Sequence, residues 1–200
     1  MGASPPARPI EALRLVPIGP LSPLRAEDLA ARLSRRVSIP CHIDAAVPET
    51  GATRLPDRDQ LDADALLRDL EARVSDDAIF LGMTPLDIGI PIFTFVFGRA
   101  RQGGRAAVVS LARLEPGFYG LPPDPERTAR RAVNEMLHEL GHVASLRHCE
   151  NAACLMRFAA SVDRVDVRGS TFCEACAARL PRWLLGSSRT SGPDPRASGE

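Results

Sequence analysis

Apolar and polar positions follow two spacings along the first half of the chain. Short apolar runs bounded by turn residues predict three strands: Ala12–Ile18, Val37–Val47 and Ala78–Gly82. Apolar residues three and four positions apart predict two helices between them: Arg25–Arg36 and Leu61–Val74. The alternation of strand and helix indicates an α/β fold with a twisted mixed sheet.

A hairpin signal follows these elements. Two further strand-like runs, Phe93–Phe97 and Ala106–Leu114, flank the turn sequence Arg101–Gly104. We expect Ala106–Leu114 to be the edge strand of the sheet. An edge strand offers unpaired backbone groups with which an extended peptide could pair.

The longest helix signal starts at Asp124, a capping residue followed by Pro125 at the first helical position. The helix is predicted to run to about Ser145 and to pack through one apolar stripe, which comprises Ala129, Val133, Leu137, Leu140 and Ala144. An irregular segment, a short helix near Glu174–Leu180 and a disordered tail over residues 187–200 are predicted beyond it.

Composition narrows the classes of function. Basic and acidic residues number 25 each and aromatic residues make up 4% of the chain, so a nucleic-acid partner is not expected. The chain contains no apolar run long enough for a membrane span, and its N-terminal residues lack the apolar core of a secretory signal. We therefore expect a cytoplasmic protein, in whose reducing compartment clustered cysteines more often bind metal than form disulfides.

Candidate chemistry is concentrated on the long helix. His138 and His142 are four residues apart, so their rings project from one side of the helix, one turn apart. Glu139 is the next residue, where it can reach a water molecule beside a metal held by the two rings. Incidental histidines on a solvent-facing helix are the alternative, but three of the four histidines fall within eleven residues.

His148 is the candidate third ligand. A helix cannot bring it to the same metal, so the chain must turn sharply near Ser145. The string HELGHVASLRH fits the extended zinc motif HExxHxxGxxH, except that Ser145 replaces the glycine. A left-handed conformation at this turn costs serine about 1–2 kcal/mol more than glycine. The motif predicts a catalytic zinc site with Glu139 as the general base.

Four of the five cysteines follow within 28 residues: Cys149, Cys154, Cys173 and Cys176. Their spacing, C-x4-C and C-x2-C around a loop of eighteen residues, suits a closed tetrahedral structural zinc. Two disulfides and unpaired core thiols are the alternatives, and the expected compartment and the spacing disfavour both.

The string HELGHVASLRHCENAACLM, followed by CEAC, resembles the archaemetzincins, whose signature is HExxHxxGxxHC, then CxM, then CxxC. The resemblance spans residues 79–180. It implies a compact metzincin-like α/β peptidase with two zinc ions, one on the histidines and one on the cysteines, the latter stapling a small C-terminal subdomain. It also marks Met156 as the Met-turn residue beneath the catalytic metal, although an isolated methionine is more often only part of the core.

These observations favour a monomeric zinc metallopeptidase that acts on peptides or proteins. One catalytic domain over residues 1–186 is expected, with an N-terminal part, 10–145, and a zinc-stapled part, 146–186. An inactive zinc scaffold that binds peptides is the first alternative, and a zinc-ribbon nucleic-acid binder is the second. The substrate preference, endopeptidase or aminopeptidase action and the residue that stabilises the oxyanion do not follow from the sequence.

Overall fold

The computed structural model of the protein describes residues 9–49, 54–55, 58–74 and 77–184. The predicted disordered tail, residues 187–200, lies outside the described residues. The division into parts 10–145 and 146–186 stays a prediction.

A five-stranded sheet forms the centre of the fold, in the order β2-β1-β4-β7-β6. The first four strands in this order run parallel to one another, and β6 pairs antiparallel with β7. The strands are β1 Ala12–Pro17, β2 Cys41–Ile43, β4 Ala78–Thr84, β6 Gly98–Ala100 and β7 Ala106–Ser110. A separate parallel pair consists of β3 Leu61–Asp62 and β5 Ile88–Gly89. The predicted α/β fold with a mixed sheet is confirmed.

In the described ranges, five helices accompany the sheet: α1 Pro23–Ser34, α2 Ala63–Glu71, α3 Pro125–Val143, α4 Val162–Val167 and α5 Glu174–Ala177. Two short 3-10 turns, Ala112–Leu114 and Pro116–Tyr119, lie between β7 and α3. No helix in the described ranges is both long and apolar enough to cross a membrane.

The central strands are buried on both faces, because alternate side chains point to opposite sides. Leu81 and Val109 belong to the larger apolar core, to which α1 and α3 contribute. Their neighbours Phe80 and Val108 belong to a second core, to which α2 contributes. Helices therefore cover both faces of the sheet, with α3 on the side of the larger core.

The prediction that Ala106–Leu114 forms the edge strand is wrong. Every residue of β7, Ala106–Ser110, is buried, and β7 lies between β4 and β6. The chain reverses after β6, Gly98–Ala100, so β6 is the outermost strand on that side of the sheet. The predicted strand Phe93–Phe97 is irregular, since the antiparallel pairing with β7 begins only at the carbonyl of Phe97, which accepts from the N–H of Ser110.

Other elements differ from their predictions mainly in length. The second strand is limited to Cys41–Ile43 and lies at the edge of the sheet, the position that the preceding Pro40 favours. Beyond it, Val47 forms only an isolated bridge with Ile18. Helix α4 was not predicted. Its signal is Ser161, whose side chain accepts a hydrogen bond from the backbone of Arg164 and caps the helix.

Candidate metal centres and active site

Helix α3 places one row of polar side chains inside the protein. Its start is the predicted one, since the Asp124 side chain accepts from the N–H of Arg127. Further along, spacings of three and four residues put Glu135, His138, Glu139 and His142 on one side of the helix. The first three of these are buried, and such burial is uncommon for a carboxylate without a charged partner.

The rings of His138 and His142 are held in matching ways. Nδ1 of His138 lies 2.9 Å from the carbonyl oxygen of Leu155, and Nδ1 of His142 lies 2.8 Å from that of Leu146. Each carbonyl accepts the Nδ1 proton, so the lone pair of each ring is on Nε2. The two Nε2 atoms lie 3.2 Å apart. Two lone pairs facing each other at this distance repel, and a bound cation would relieve the repulsion.

The protonation state of the histidines suits metal binding. Burial, and secondarily the nearby Arg168, keeps the pKa of His138 well below its usual value. Burial also lowers the pKa values of His142 and His148. A neutral imidazole is the form that binds a metal, so the surroundings favour the ligand form of all three rings.

A tight turn brings His148 to this pair. The N–H of Ser145 donates to the carbonyl of His142 at 2.9 Å, and the N–H of Leu146 donates to that of Gly141 at 2.9 Å. These bonds form a Schellman motif, which needs a left-handed residue directly after the cap. Ser145 has φ 67° and is the sole non-glycine residue with positive φ in the described ranges. The expected left-handed turn is confirmed, and one ring nitrogen of each of the three histidines lies within 4.8 Å of the others.

The carboxylate of Glu139 lies next to this histidine set, beneath strand β6. A Cβ atom at Gly98 of β6 would lie 2.6 Å from Oε1 of Glu139, so the strand approaches the carboxylate closely only because residue 98 is glycine. Burial, and secondarily the charge of Glu135, raises the pKa of the Glu139 carboxyl well above its usual value. A carboxyl group with a raised pKa can both accept and return a proton near neutral pH.

Sequence reasoning missed a buried ion pair behind the histidines. The guanidinium of Arg168 donates to the carboxylate of Glu135, and both side chains are almost fully buried. Nη1 of Arg168 also lies 3.3 Å from Nδ1 of His138. This contact is not a hydrogen bond, because Nδ1 donates its proton to the carbonyl of Leu155 and a guanidinium has no acceptor. The signal for Glu135 was its position on the same helix face, three residues before His138. Arg168 had no comparable signal, because only the fold brings it to α3.

The four cysteines form a second set, in which all Sγ atoms lie within 4.8 Å of one another. All five cysteines of the chain are in the described ranges, and none forms a disulfide. Sγ of Cys154 accepts from the backbone N–H groups of Met156 and Cys173, both at 3.4 Å. The backbone N–H of Cys176 lowers the pKa of the Cys173 thiol to about 7. Burial raises the pKa values of the Cys154 and Cys176 thiols, so in the absence of metal the surroundings favour the thiolate, the form in which cysteine binds zinc, at Cys173.

Met156 lies between the two sets. Its carbonyl accepts from the N–H of Cys149 at 2.9 Å, and its fully buried side chain packs against Gly141, between the two helical histidines. A Cβ atom at residue 141 would clash with the sulfur of Met156. The thioether therefore lies directly under the turn of α3 that carries the histidines.

The histidine set opens into a cleft of about 700 Å³. Glu135, Glu139 and Arg168 line it together with the three histidines. Strand β6 and the segment before it, residues 93–100, form one wall, and Phe158 to Ala160 lie in another part of the lining. The cleft runs along β6, the outermost strand on that side of the sheet.

The arrangement of an open histidine set and a closed cysteine set can be compared with known proteins. The sequence model of peptidase family M54 matches residues 33–182 of the 200. The chain belongs to peptidase family M54. The predicted resemblance to the archaemetzincins is also confirmed, because curated relatives of this chain carry that name.

Archaemetzincins from two archaea illustrate this likeness. That of Pyrococcus horikoshii is 43% identical over 120 residues, which are 60% of this chain and 61% of that protein. That of Methanocaldococcus jannaschii is 46% identical over 102 residues, which are 51% of this chain and 57% of that protein. The chain thus spans less than two thirds of the length of these two relatives.

Solved structures of archaemetzincins share the fold. The crystal structure of archaemetzincin from Archaeoglobus fulgidus complexed with malonate has a TM-score of 0.74 and 31% identity, covering 84% of this chain and 99% of that one. The crystal structure of archaemetzincin from Methanopyrus kandleri has a TM-score of 0.68 and 35% identity, covering 84% and 92%.

All eight residues predicted for the two centres come together in this M54 chain. The histidine set and the cysteine set could each hold one zinc ion, which agrees with the two zinc ions expected. The particular roles of Glu139 as base, of Met156 and of each ligand stay predictions.

Proposed function

We propose that the chain is a zinc-dependent peptidase of the metzincin type, with His138, His142 and His148 as ligands of the catalytic zinc. The buried carboxylate of Glu139, beside three converging imidazoles in an open cleft, carries this proposal. A solved structure named as a zinc-dependent peptidase from Methanocorpusculum labreanum supports it, with a TM-score of 0.69 and 28% identity over 84% of this chain and all of that one.

The residues divide the chemical work between them. Zinc, when bound, supplies a Lewis acid that lowers the pKa of a water molecule and polarises the peptide carbonyl. The carbonyl groups of Leu155 and Leu146 hold the rings of His138 and His142 with Nε2 towards the cleft. Glu139 accepts a proton from the attacking water and returns it to the leaving amine, a role that its raised pKa suits.

The edge of the sheet fits an extended substrate. Strand β6, Gly98–Ala100, lines the cleft and is the outermost strand on its side. A peptide that adds to this edge as another strand would lie beside Glu139, because Gly98 is in contact with that side chain. The substrate of the proposed reaction is therefore a peptide or protein segment in extended conformation.

The cysteine set has a different part in this proposal. Cys149, Cys154, Cys173 and Cys176 would hold a structural zinc, since four thiolates complete a tetrahedral site and leave no position for substrate. Met156, buried beneath the histidine-bearing turn, would serve as the Met-turn residue. Its thioether would support the floor of the catalytic site.

The experiment that tests the function is Glu139→Gln. The amide has nearly the shape of the carboxylate but does not accept the proton of water, so hydrolysis of a peptide library should fall by at least about 100-fold. Zinc content, measured by elemental analysis, should stay at the value of the unaltered protein. Unchanged hydrolysis at unchanged zinc content would exclude Glu139 as the base.

The same experiment distinguishes the peptidase from the main alternative, an inactive zinc scaffold that binds peptides. The conformation of Ser145, at φ 67°, is the observation in its favour, because a strained turn could hold His148 less firmly. If the unaltered protein binds zinc at both sets and cleaves nothing in a broad library, the scaffold replaces the peptidase as the function.

A further inference from the structure

One wall of the cleft has no regular secondary structure of its own. The segment of residues 90–97, here called the cleft wall, lies between strands β5 and β6 and contributes Ile90 and the run from Phe93 to Phe97 to the lining. Its N–H groups at Phe93 and Val96 donate to the carbonyls of Ile90 and Ile88. A wall of this kind needs other support if a substrate is to find it already ordered.

Arg58 provides that support from outside the cleft. Its Nη1 donates to the carbonyl oxygen of Phe93 at 2.7 Å and lies 3.5 Å from that of Thr94. Its Nη2 lies 3.4 Å and 3.3 Å from the carbonyl oxygens of Ile90 and Pro91. The planar guanidinium can donate in several fixed directions at once, so one side chain engages four carbonyl groups of the cleft wall.

Gln60 holds the same segment from a buried position. Its Nε2 donates to the carbonyl of Thr94 at 2.9 Å and to Oδ2 of Asp87 at 2.8 Å. Asp87 is fixed in turn by Arg113, whose guanidinium donates to both carboxylate oxygens and lies 4.2 Å from the centroid of the Phe95 ring. The wall is therefore fixed through its backbone and through an aromatic side chain.

We propose that Arg58 and Gln60 are positioning residues that hold the cleft wall, residues 90–97, in the conformation that receives an extended peptide. Neither side chain lines the cleft, so both act through the wall and not on the substrate. The consequence for substrate binding rests on the proposed peptidase function, whereas the ordering of the wall does not. Ordering the wall in advance lowers the entropy cost of binding a peptide against it.

Arg58→Ala is the main test, with Arg54→Ala as its matched control. Arg54 belongs to the same stretch but pairs with Asp59 at 2.6 Å. Arg58→Lys should have an intermediate effect, because one ammonium group, with three donors, cannot engage all four carbonyls at once. Gln60→Glu replaces the two N–H donors by an oxygen that faces Asp87 and the carbonyl of Thr94, and it tests the second support.

The first measurement is hydrogen exchange, which needs no activity. The Val96 amide should exchange at least about 10-fold faster in Arg58→Ala than in Arg54→Ala, with the amides of helix α3 unchanged. The second is steady-state kinetics on an extended peptide. The KM should rise by about 5–10-fold, while kcat stays within about 2-fold and zinc content is constant.

Each other result counts against the proposal. Equal Val96 exchange in Arg58→Ala and Arg54→Ala would show that Arg58 does not order the wall. Faster exchange throughout α3 as well, with a lower melting temperature in all three Arg58 and Gln60 variants, would indicate a purely structural role. Faster Val96 exchange with an unchanged KM would show that the wall does not receive the peptide. If the unaltered protein cleaves nothing, the proposed function fails, but the exchange result still decides the role of Arg58.

Discussion

The histidine set and the cysteine set stand in the same stretch of chain, yet their surroundings are opposite. The three histidines line a cleft of about 700 Å³, and none of the cysteines, all within the described ranges, takes part in that lining. Two histidines project from a long regular helix, whereas Cys149 and Cys154 come from the irregular segment after α3, and Cys173 and Cys176 come from the cap and the body of the four-residue helix α5. The difference indicates that one set is arranged for access and the other for closing the chain on itself.

The two sets also differ in the structure that holds their side chains in place. The ring of His142 is oriented by the carbonyl of Leu146, which directly follows helix α3, whereas the carbonyl that orients His138 belongs to Leu155, beside Cys154 of the cysteine set. The cysteine segments have only short elements around them, among them the four-residue helix α5. We therefore expect the helix to keep His142 in place without zinc. The C-terminal segment, and with it the Leu155 carbonyl beside His138, should depend on the zinc of the cysteine set for folding.

Substitution of one candidate ligand in each set should have the largest effects on stability and on activity. Cys154→Ser should lower the melting temperature by more than about 10 °C or prevent folding, because structural zinc sites contribute about 10–16 kcal/mol in small peptides. His142→Ala should leave the melting temperature within about 3 °C and abolish peptide hydrolysis. Differential scanning calorimetry measures the melting temperatures of both variants, and digestion of a peptide library measures their hydrolysis.

Elemental analysis provides the control for this comparison. The unaltered protein should contain close to two zinc ions per chain, as the two candidate sets imply, and His142→Ala should retain the one on the cysteines. A melting temperature for Cys154→Ser equal to that of the unaltered protein would show that the cysteine set has no structural role.

The buried pair of Arg168 and Glu135 should give the next largest effect. Arg168→Met leaves the Glu135 carboxylate buried without its partner, so the free energy of unfolding should fall by about 3–5 kcal/mol. The pair lies beside His138, so zinc should be lost from the histidine set before the cysteine set.

Arg168→Met combined with Glu135→Gln is the matched variant, because it removes the uncompensated charge. Urea unfolding should show that the double variant recovers part of the lost stability. A double variant less stable than Arg168→Met alone would contradict the assignment of the effect to buried charge.

Packing beneath the histidines offers a smaller effect. Gly141→Ala places a methyl group against the sulfur of Met156 and should cost about 1–3 kcal/mol of unfolding free energy. Gly117→Ala is the control, since a methyl group there meets nothing within 4 Å. Met156→Ala should reduce the cost of Gly141→Ala in a double-mutant cycle monitored by chemical denaturation, and additive effects would exclude this contact as the cause.

The smallest effect is expected at the turn that brings His148 to the other ligands. Ser145→Gly removes the strain of a left-handed serine and should stabilise the protein by about 1 kcal/mol. Ser145→Ala keeps a Cβ atom and should give no such gain. Equal unfolding free energies for the glycine and alanine variants, measured in urea, would show that the turn stores no strain of this kind.

The two metal sets were predictable because their residues are close in sequence and their spacing has a local geometric meaning. A separation of four residues places His138 and His142 on one helix face, and the two cysteine pairs have the spacing of zinc ligands. Even the left-handed turn at Ser145 followed from the need to bring His148 back to the helix. The cap at Asp124 is a local signal of the same kind.

The edge of the sheet was mispredicted for the opposite reason. The apolar run of β7, Ala106–Ser110, fits both an edge strand and a central one, and only its pairing with β4 and β6 decides between them. Likewise, the aromatic run from Phe93 to Phe97 has the composition of a strand. It forms a wall of the cleft because pairing with β7 starts only at the carbonyl of Phe97.

The sequence by itself determined the α/β class and the two candidate metal-binding sets, since both depend on periodicity or on spacing within short stretches. The resemblance of one short motif indicated the peptidase family. Only the tertiary structure decided that β6 borders the cleft, that Arg168 joins Glu135 behind His138, and that Arg58 reaches the cleft wall. These contacts join residues about 30 or more positions apart. No local pattern encodes them, because they follow from how the sheet orders its strands and how the helices pack on it.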